Sequence, residues 1–135
     1  MVVSPKHTRP KTRCDIPVSL LDLFPSLVEI CDLKDPPQTL EGKSFLNLLK
    51  NPGSEPERVA ITTQGKNNHA IRSLQHRYIR YADGSEELYD HKNDPHEWTN
   101  QATDNRYAEI KRDLASLIPA LNKDPLLPAK KSDTN

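Results

Sequence analysis

The chain has 135 residues, of which 34% are hydrophobic, and its mean hydropathy of −0.79 is polar for a folded domain. Nineteen basic residues balance nineteen acidic ones, so the chain lacks the net positive charge that nucleic-acid-binding proteins usually carry. No apolar run approaches the ~18 residues that a membrane-spanning helix requires. We therefore expect neither a nucleic acid nor a membrane as a partner.

Residues 1–15 are basic and interrupted by prolines. The apolar run at their start is too short to be the core of a signal peptide. Cys14 lies in this polar segment and is expected to be exposed. With Cys31 it makes only two cysteines, which is too few for a disulfide framework.

Residues 16–33 carry the clearest helical pattern in the chain. Their apolar residues recur at intervals of three and four, which predicts one buried face. These residues are Leu20, Leu23, Phe24, Leu27, Val28 and Cys31. Asp22 is the expected N-cap, which places Pro25 at the third helical position, where a missing N–H costs no hydrogen bond. Cys31 is expected to pack as a small buried apolar residue.

Residues 58–63 alternate apolar and polar side chains, which predicts a half-buried strand. Three more strands are predicted at residues 69–74, 78–82 and 85–89. The Asp83-Gly84 pair between the last two predicts a type I′ turn, in which both central residues have positive φ.

Two helix starts are predicted in the last third of the chain. Asp94, Pro95 and Glu97 have the residue types of a capped N-terminus. Trp98, which follows them, is expected to cover the apolar face of the hairpin. A final helix is predicted at residues 105–116. Its apolar stripe consists of Tyr107, Ile110, Leu114, Leu117, Ile118 and Leu121.

Residues 77–100 contain Tyr-Ile-Arg-Tyr, an Asp-Gly turn, Glu-Leu-Tyr-Asp, Asp-Pro-His-Glu and an asparagine. This succession resembles the C-terminal signature of sulfatases, which belong to the alkaline-phosphatase-like superfamily. Residues 62–72, which include Thr-Thr-Gln-Gly and Asn-His-Ala-Ile-Arg, are similar to the iduronate-2-sulfatase-like branch. Residues 17–28 (Pro-Val-Ser-Leu-Leu-Asp-Leu-Phe-Pro-Ser-Leu-Val) resemble a packing helix of the same family.

The resemblance implies an α/β fold with α+β character locally, namely the C-terminal subdomain of a sulfatase. In it, a small antiparallel sheet of about four strands packs with helices. Residues 1–125 would be this portion. Within them, residues 1–51 would hold the end of a core strand, a loop and the packing helix, and residues 57–121 would hold the small sheet and the C-terminal helix. Residues 126–135 form a polar tail.

Sulfatases use a formylglycine made from the first residue of a Cys/Ser-x-Pro-x-Arg motif, and a calcium ion held by Asp and Asn side chains. Neither Cys14 nor Cys31 lies in such a motif, and the calcium ligands have no match. We therefore expect no catalytic residue and no metal ligand in this chain. Formylglycine and calcium are implied only for the full-length enzyme.

Three residues are candidates for binding substrate: His69, Asn68 and Arg72. Imidazolium and guanidinium groups suit the oxygens of a sulfate ester. The alternative is that these residues only shape a loop and an exposed strand.

Two further clusters are expected to have structural roles. The Asp and His residues that follow the last strand are metal-ligating types, but capping explains Asp94 better than metal binding does. These residues are Asp90, His91, Asp94 and His96. Arginines on a solvated strand face are expected to pair with glutamates of the neighbouring strand. They are Arg77 and Arg80, with Glu86 or Glu87 as partners.

The resemblance thus implies a C-terminal fragment of a sulfatase, a sulfuric ester hydrolase acting on sulfated glycans, which is inactive without its missing N-terminal domain. Two alternatives stay open. A related phosphodiesterase or phosphonate hydrolase could end similarly, or the chain could be a free-standing, non-catalytic binding module. Full-length relatives are usually exported to the periplasm, the extracellular space or the lysosome, but this stretch shows no signal peptide and the location of this chain stays open.

Overall fold

The computed structural model describes residues 2–120 and residue 123. Four strands form one sheet in the order β1-β2-β3-β4, and each strand pairs antiparallel with the next along the chain. The strands are β1 Ala60–Thr63, β2 His69–Arg72, β3 His76–Arg80 and β4 Glu86–Asp90. The helices are α1 Leu23–Ile30, α2 Leu46–Lys50 and α3 Ala108–Ser116, with short 3-10 turns at Leu20–Asp22 and Asn105–Tyr107.

This architecture confirms the predicted small antiparallel sheet with accompanying helices. The predicted final helix is also confirmed, because the second 3-10 turn and α3 together cover residues 105–116. Leu121 and the predicted tail lie outside the described residues. Within residues 2–120, no helix is both long and apolar enough to cross a membrane.

The main core lies between one face of the sheet and α3. Ile71, Tyr78 and Leu88 stand side by side on β2, β3 and β4, and all three are fully buried. Leu114 of α3 and Ala102 complete this cluster. Because side chains alternate along a strand, the residues directly before and after each of these three on its own strand point to the other face of the sheet. We call that other face the open face.

The turn between β3 and β4 differs from the predicted type I′ geometry. Among the two central residues only Gly84 has a positive φ, of 86°. The Gly84 N–H donates to Tyr81 O, and the Tyr81 N–H donates to Ser85 O. This is a type I turn followed by a bulge at a left-handed glycine, the usual solution for a loop of three residues. The Asp-Gly pair suits both turns, and the strand register selects between them.

We expect Gly84→Val to destabilise the fold by ~1–2 kcal/mol, because a β-branched residue is strained at positive φ. A Cβ at position 84 would meet no atom within 4 Å, so the cost is that of the backbone alone. Urea unfolding measures it, with Gly53→Val as the control, since position 53 is equally open and has no positive φ. Equal midpoints for the two variants would contradict the turn described here.

A second, smaller core joins the segments before and after α1. Ile16, Phe45 and Leu48 form it, with Leu49 and Leu74 packed against them. Residues 2–15 form no strand, although the end of a core strand was expected there. A turn at residues 4–8 takes its place. A strand at this position would need a neighbouring strand to satisfy its backbone groups.

The apolar face predicted for α1 is largely exposed in this chain. Val28 is buried, but the other predicted members are in contact with water. The exposed residues are Leu20, Leu23, Phe24, Leu27 and Cys31. The expectation of a buried Cys31 is therefore wrong for this chain. Sequence periodicity fixes which residues share a face, but it does not supply the surface that covers them.

The start of α1 is held by a buried ion pair rather than by the predicted Asp22 cap. Ser19 Oγ accepts from the Leu21 N–H, and the Asp22 carboxylate accepts from the Ser19 N–H, which caps the 3-10 turn reciprocally. Asp22 Oδ2 also lies 3.0 Å from Arg58 Nη2, and both side chains are almost fully buried. Asp22 Oδ1 accepts from the Lys43 N–H at 2.8 Å.

Further hydrogen bonds extend this ion pair into a network between α1 and α2. Ser26 Oγ donates to Asp22 O at 2.6 Å and accepts from the Phe45 N–H at 2.9 Å. Arg58 Nη1 donates to Glu55 at 2.8 Å. Burial alone would raise the pKa of Asp22, but its hydrogen bonds from the Lys43 and Ser19 backbone and from Arg58 outweigh burial and lower it.

Residues 93–100 contain no helix, which corrects the helix start predicted at Asp94. The Asp94 carboxylate instead accepts from the Thr99 N–H at 2.8 Å and closes a turn. The helical segment begins after Asp104, whose carboxylate accepts from the Arg106 N–H. Trp98, expected to cover the hairpin, is 84% exposed and stacks on another surface side chain, His96, with 5.0 Å between ring centroids.

Asn100 and Gln101 run along the outer edge of β4 without forming a strand. Asn100 Oδ1 accepts from the Leu88 N–H at 3.0 Å, and its amide donates to Glu86 O at 3.1 Å. The Gln101 N–H donates to Leu88 O at 2.8 Å. The outward-facing backbone groups of β4 at these positions are therefore already bonded.

Candidate functional site

His69, the first predicted substrate-binding residue, begins β2 on the face that packs against α3. It is only 2% exposed, and its Nδ1 lies 3.0 Å from Thr63 Oγ1 on the neighbouring strand. Its Nε2 is buried and has no hydrogen-bond partner among the described residues. In this chain the imidazole is thus turned into the protein.

Asn68, the second predicted residue, joins the tips of the two hairpins. Its Oδ1 accepts from the Ala82 N–H at 3.1 Å, and its amide donates to Lys66 O at 3.1 Å. A shallow depression of about 390 Å³ lies beside this contact, with Tyr81 and Asp83 among its lining residues. Asn68 therefore positions the loops around a surface that is open to solvent.

Arg72, the third predicted residue, ends β2 on the open face. It is three residues from His69, and an odd separation along a strand places two side chains on opposite faces. The structure therefore does not bring His69 and Arg72 together. Contact of any of the three with a substrate stays a prediction.

Instead, Arg72 belongs to a charged group on the open face, which we call the arginine cluster: Arg72, Arg77, His91 and Glu97. Arg77 Nη1 donates to Glu97 Oε2 at 2.7 Å, and His91 Nε2 lies 2.5 Å from Glu97 Oε1. Arg72 Nη1 contacts His91 Nδ1. These contacts fit a neutral imidazole that donates from Nε2 to the carboxylate and accepts at Nδ1 from the guanidinium.

The arginine cluster corrects the expectation that Arg77 pairs with Glu86 or Glu87. Glu97 is its partner, and it lies 20 residues further along the chain in the turn that follows β4. Glu86 faces the other way, where it accepts from the Tyr78 hydroxyl at 2.5 Å and from Lys111 of α3 at 2.9 Å. Burial and this contact raise the pKa of Tyr78 well above its usual value.

Glu97 and Arg72 differ in whether their charge is compensated by a hydrogen-bonded partner of opposite charge. Glu97 accepts at both of its oxygens, one from Arg77 and one from His91. The bonds of Arg72, in contrast, go to neutral acceptors, His91 Nδ1 and His76 O. Burial lowers the pKa of Arg72, and the nearby charge of Arg77 lowers it further against the opposing charge of Glu97.

The described part of the chain brings together no group of three or more His, Cys, Asp or Glu side chains that could hold a metal ion. Asp90 is occupied by bonds from Asn93 and Tyr107, and both cysteines are exposed and free. The calcium ion that the resemblance implies for a full-length enzyme therefore finds no donor set among these residues.

The family described as N-sulphoglucosamine sulphohydrolase, C-terminal, matches residues 1–124. The chain belongs to this sulfatase family. This C-terminal sulfatase chain is 37% identical over 110 residues to a sulfatase of Formosa agariphila, a match that covers 82% of the chain and 22% of that protein. It is 33% identical over 111 residues to a delta 4,5-hexuronate-2-O-sulfatase of Bacteroides thetaiotaomicron, covering 73% of the chain and 22% of that protein. The sulfatase chain thus spans about a fifth of the length of these relatives.

Solved structures show the same fold as the sulfatase chain. One is a protein in complex with its substrate D-glucosamine-2-N,6-O-disulfate, with 25% identity and a TM-score of 0.57 over 71% of the chain and 22% of that protein. Another is the phosphonate monoester hydrolase of Agrobacterium radiobacter, with 25% identity and a TM-score of 0.57 over 70% of the chain and 23% of that protein. The sulfatase C-terminal chain therefore has the fold that these longer enzymes carry in a minor part of their length.

Proposed function

We propose that this chain is the C-terminal part of a sulfuric ester hydrolase that acts on sulfated glycans, within an iduronate-2-sulfatase-like branch. Residues 62–72 support the branch through their resemblance to it. The choice of sulfated glycans as the substrate is supported by one relative, the delta 4,5-hexuronate-2-O-sulfatase of Bacteroides thetaiotaomicron. In this proposal the chain forms a wall beside the substrate and contributes no catalytic residue.

The exposed face of α1 is the observation that carries the proposal. Leu20, Leu23, Phe24 and Leu27 are each between 45% and 85% exposed on one short segment. An apolar patch of this kind marks an interaction surface on an otherwise polar chain. Since the chain spans only 22% of its relatives' length, we propose that an N-terminal sulfatase domain covers this face. That domain would also supply the formylglycine and the calcium site.

We expect the chain alone to show no turnover of aryl sulfates in the presence of calcium, because its described residues hold no metal donor set. It should also bind an apolar dye at α1. Phe24→Asp and Leu27→Asp should each lower the dye signal without unfolding the chain, since both side chains are already about half exposed.

Val3→Asp is the matched control, because Val3 is exposed but lies outside α1. Turnover that survives removal of contaminating enzymes would contradict the proposed division of labour. A monomer that binds no dye and melts in a sharp two-state transition would favour the free-standing binding module.

A second candidate activity is the hydrolysis of phosphonate or phosphodiester substrates. It is favoured by one observation, the fold similarity to the phosphonate monoester hydrolase, which equals the similarity to the disulfated-glucosamine complex. The nucleophile of the covering domain separates the two proposals. A Cys or Ser in Cys/Ser-x-Pro-x-Arg supports the sulfatase, and a Thr or Ser outside that motif supports the alternative.

A further inference from the structure

We infer that the arginine cluster is a binding site for an oxyanion substituent of a glycan, with Arg72 as its principal ligand. The choice of a glycan rests on the proposed function, but the anion site follows from the charges and contacts on the open face. The substituent would be a sulfate ester or a carboxylate, since both offer two oxygens to a guanidinium.

The first observation is a pair of like charges held side by side. Arg72 on β2 lies directly opposite Arg77 on β3 in the sheet register. Like charges at directly opposite positions destabilise a sheet. Both guanidinium groups are kept there, half-buried, on the face of the sheet that faces away from α3.

The second observation is that the available carboxylate is already used. Glu97 accepts from Arg77 and from His91, one at each oxygen, and it forms no hydrogen bond with Arg72. Glu87, on the same face, accepts from the hydroxyls of Tyr81 and Tyr89. No carboxylate among the described residues forms an ion pair with Arg72.

The third observation concerns the remaining donors of Arg72. Its hydrogen bonds to the described residues leave from Nη1, while Nε and Nη2 make none to those residues and are not enclosed. These two nitrogens present parallel N–H groups, the geometry that binds two oxygens of one sulfate or carboxylate. A half-buried cation with free parallel donors is therefore ready to bind an oxyanion.

The test uses the full 135-residue chain and titrates it with sodium sulfate, and separately with sodium acetate, to ~50 mM at constant ionic strength. Trp98 is the chain's one tryptophan and adjoins Glu97, so its fluorescence reports on the cluster. The Arg72 Nε–Hε signal in NMR spectra is the second readout. We expect a saturable response, and the tighter of the two anions identifies the substituent.

Two variants make the test decisive. Arg72→Gln should abolish saturation, while Arg112→Gln, a control on the exposed side of α3, should not change it. Glu97→Gln removes the competing negative charge and should tighten binding about fivefold, a gain that unfolding cannot produce. Glu109→Gln, the matched control, changes the charge equally at a distant exposed position.

Absence of saturation with both anions, unchanged binding in Arg72→Gln, or no gain in Glu97→Gln would overturn the inference. In the first case, Arg72 would instead be a partner for a carboxylate of the covering domain. None of these outcomes affects the turnover and dye measurements of the proposed function, so the two proposals fail separately.

Discussion

Gly42→Ala is expected to destabilise the chain by ~3 kcal/mol, because position 42 has no room for a methyl group. A Cβ there would lie 2.0 Å from Leu21 O, 2.4 Å from Leu21 C and 2.9 Å from Asp22 N. These are backbone atoms, so the clash cannot be relieved by turning a side chain. The segments must separate, which also weakens the bond from the Lys43 N–H to Asp22.

Urea unfolding followed by far-UV circular dichroism measures this loss as a shift of the midpoint at constant slope. Gly53→Ala is the control, because a Cβ at position 53 meets nothing within 4 Å. A net stability of ~5–15 kcal/mol is typical of whole domains, so ~3 kcal/mol is a large share of what this chain can have. Midpoints that agree for both variants would show that the contact of Gly42 with Leu21 is not formed.

Arg58→Met is expected to cost ~3–5 kcal/mol at pH 7, the usual result when one partner is removed from a buried ion pair. The methionine fills similar space but leaves the buried Asp22 carboxylate without its cation, while Glu55 keeps only its ion pair with the exposed Lys43. The control is Arg106→Met, whose guanidinium is 80% exposed and pairs with Asp104. An exposed pair of this kind contributes at most ~1 kcal/mol.

The cost of Arg58→Met should depend on pH, because it comes from ionised carboxylates. Burial opposes ionisation of both carboxyls, but hydrogen bonds lower the pKa of Asp22 below its ordinary 3.8 and the pKa of Glu55 below its ordinary 4.5. Their contribution to wild-type stability is therefore complete above these values and is lost as the pH falls through the lowered ones. In Arg58→Met, protonation of the same carboxyls at low pH removes their negative charges, so the free-energy cost of leaving them without Arg58 falls. The difference in unfolding free energy between the two proteins should shrink below about pH 4.

The strands and the last helix could be predicted from the sequence because their signals are local. Alternation within β2 to β4 places Ile71, Tyr78 and Leu88 on one face, and the three-and-four spacing places Leu114 opposite them. The turn at Gly84 was found but not its type, because Asp-Gly is compatible with more than one geometry and the register of the paired strands decides.

The charged groups could not be predicted in the same way, because their partners are far apart in the chain. Arg58 pairs with Asp22 across 36 positions, and Arg77 pairs with Glu97 across 20. In each case the sequence pattern suggested a local role instead. Asp22 was expected to cap a helix, and Arg77 was expected to pair with Glu86 or Glu87 on the neighbouring strand. Only the packing of α1 against the turn before α2, and of the Glu97 turn against the sheet, selects the partners observed.

The bonding of Asn100 and Gln101 along β4 makes the two margins of the sheet unequal. A side-chain amide there imitates the peptide of a fifth strand and occupies donors and acceptors that an incoming chain would need. No described strand pairs with the outer side of β1, so its peptide groups remain available for ladder pairing. Growth of the sheet, by a strand of a larger enzyme or by a second molecule during aggregation, is thereby directed to β1. Of the two edges of the described sheet, β1 can accept a further strand, whereas β4 is blocked by Asn100 and Gln101.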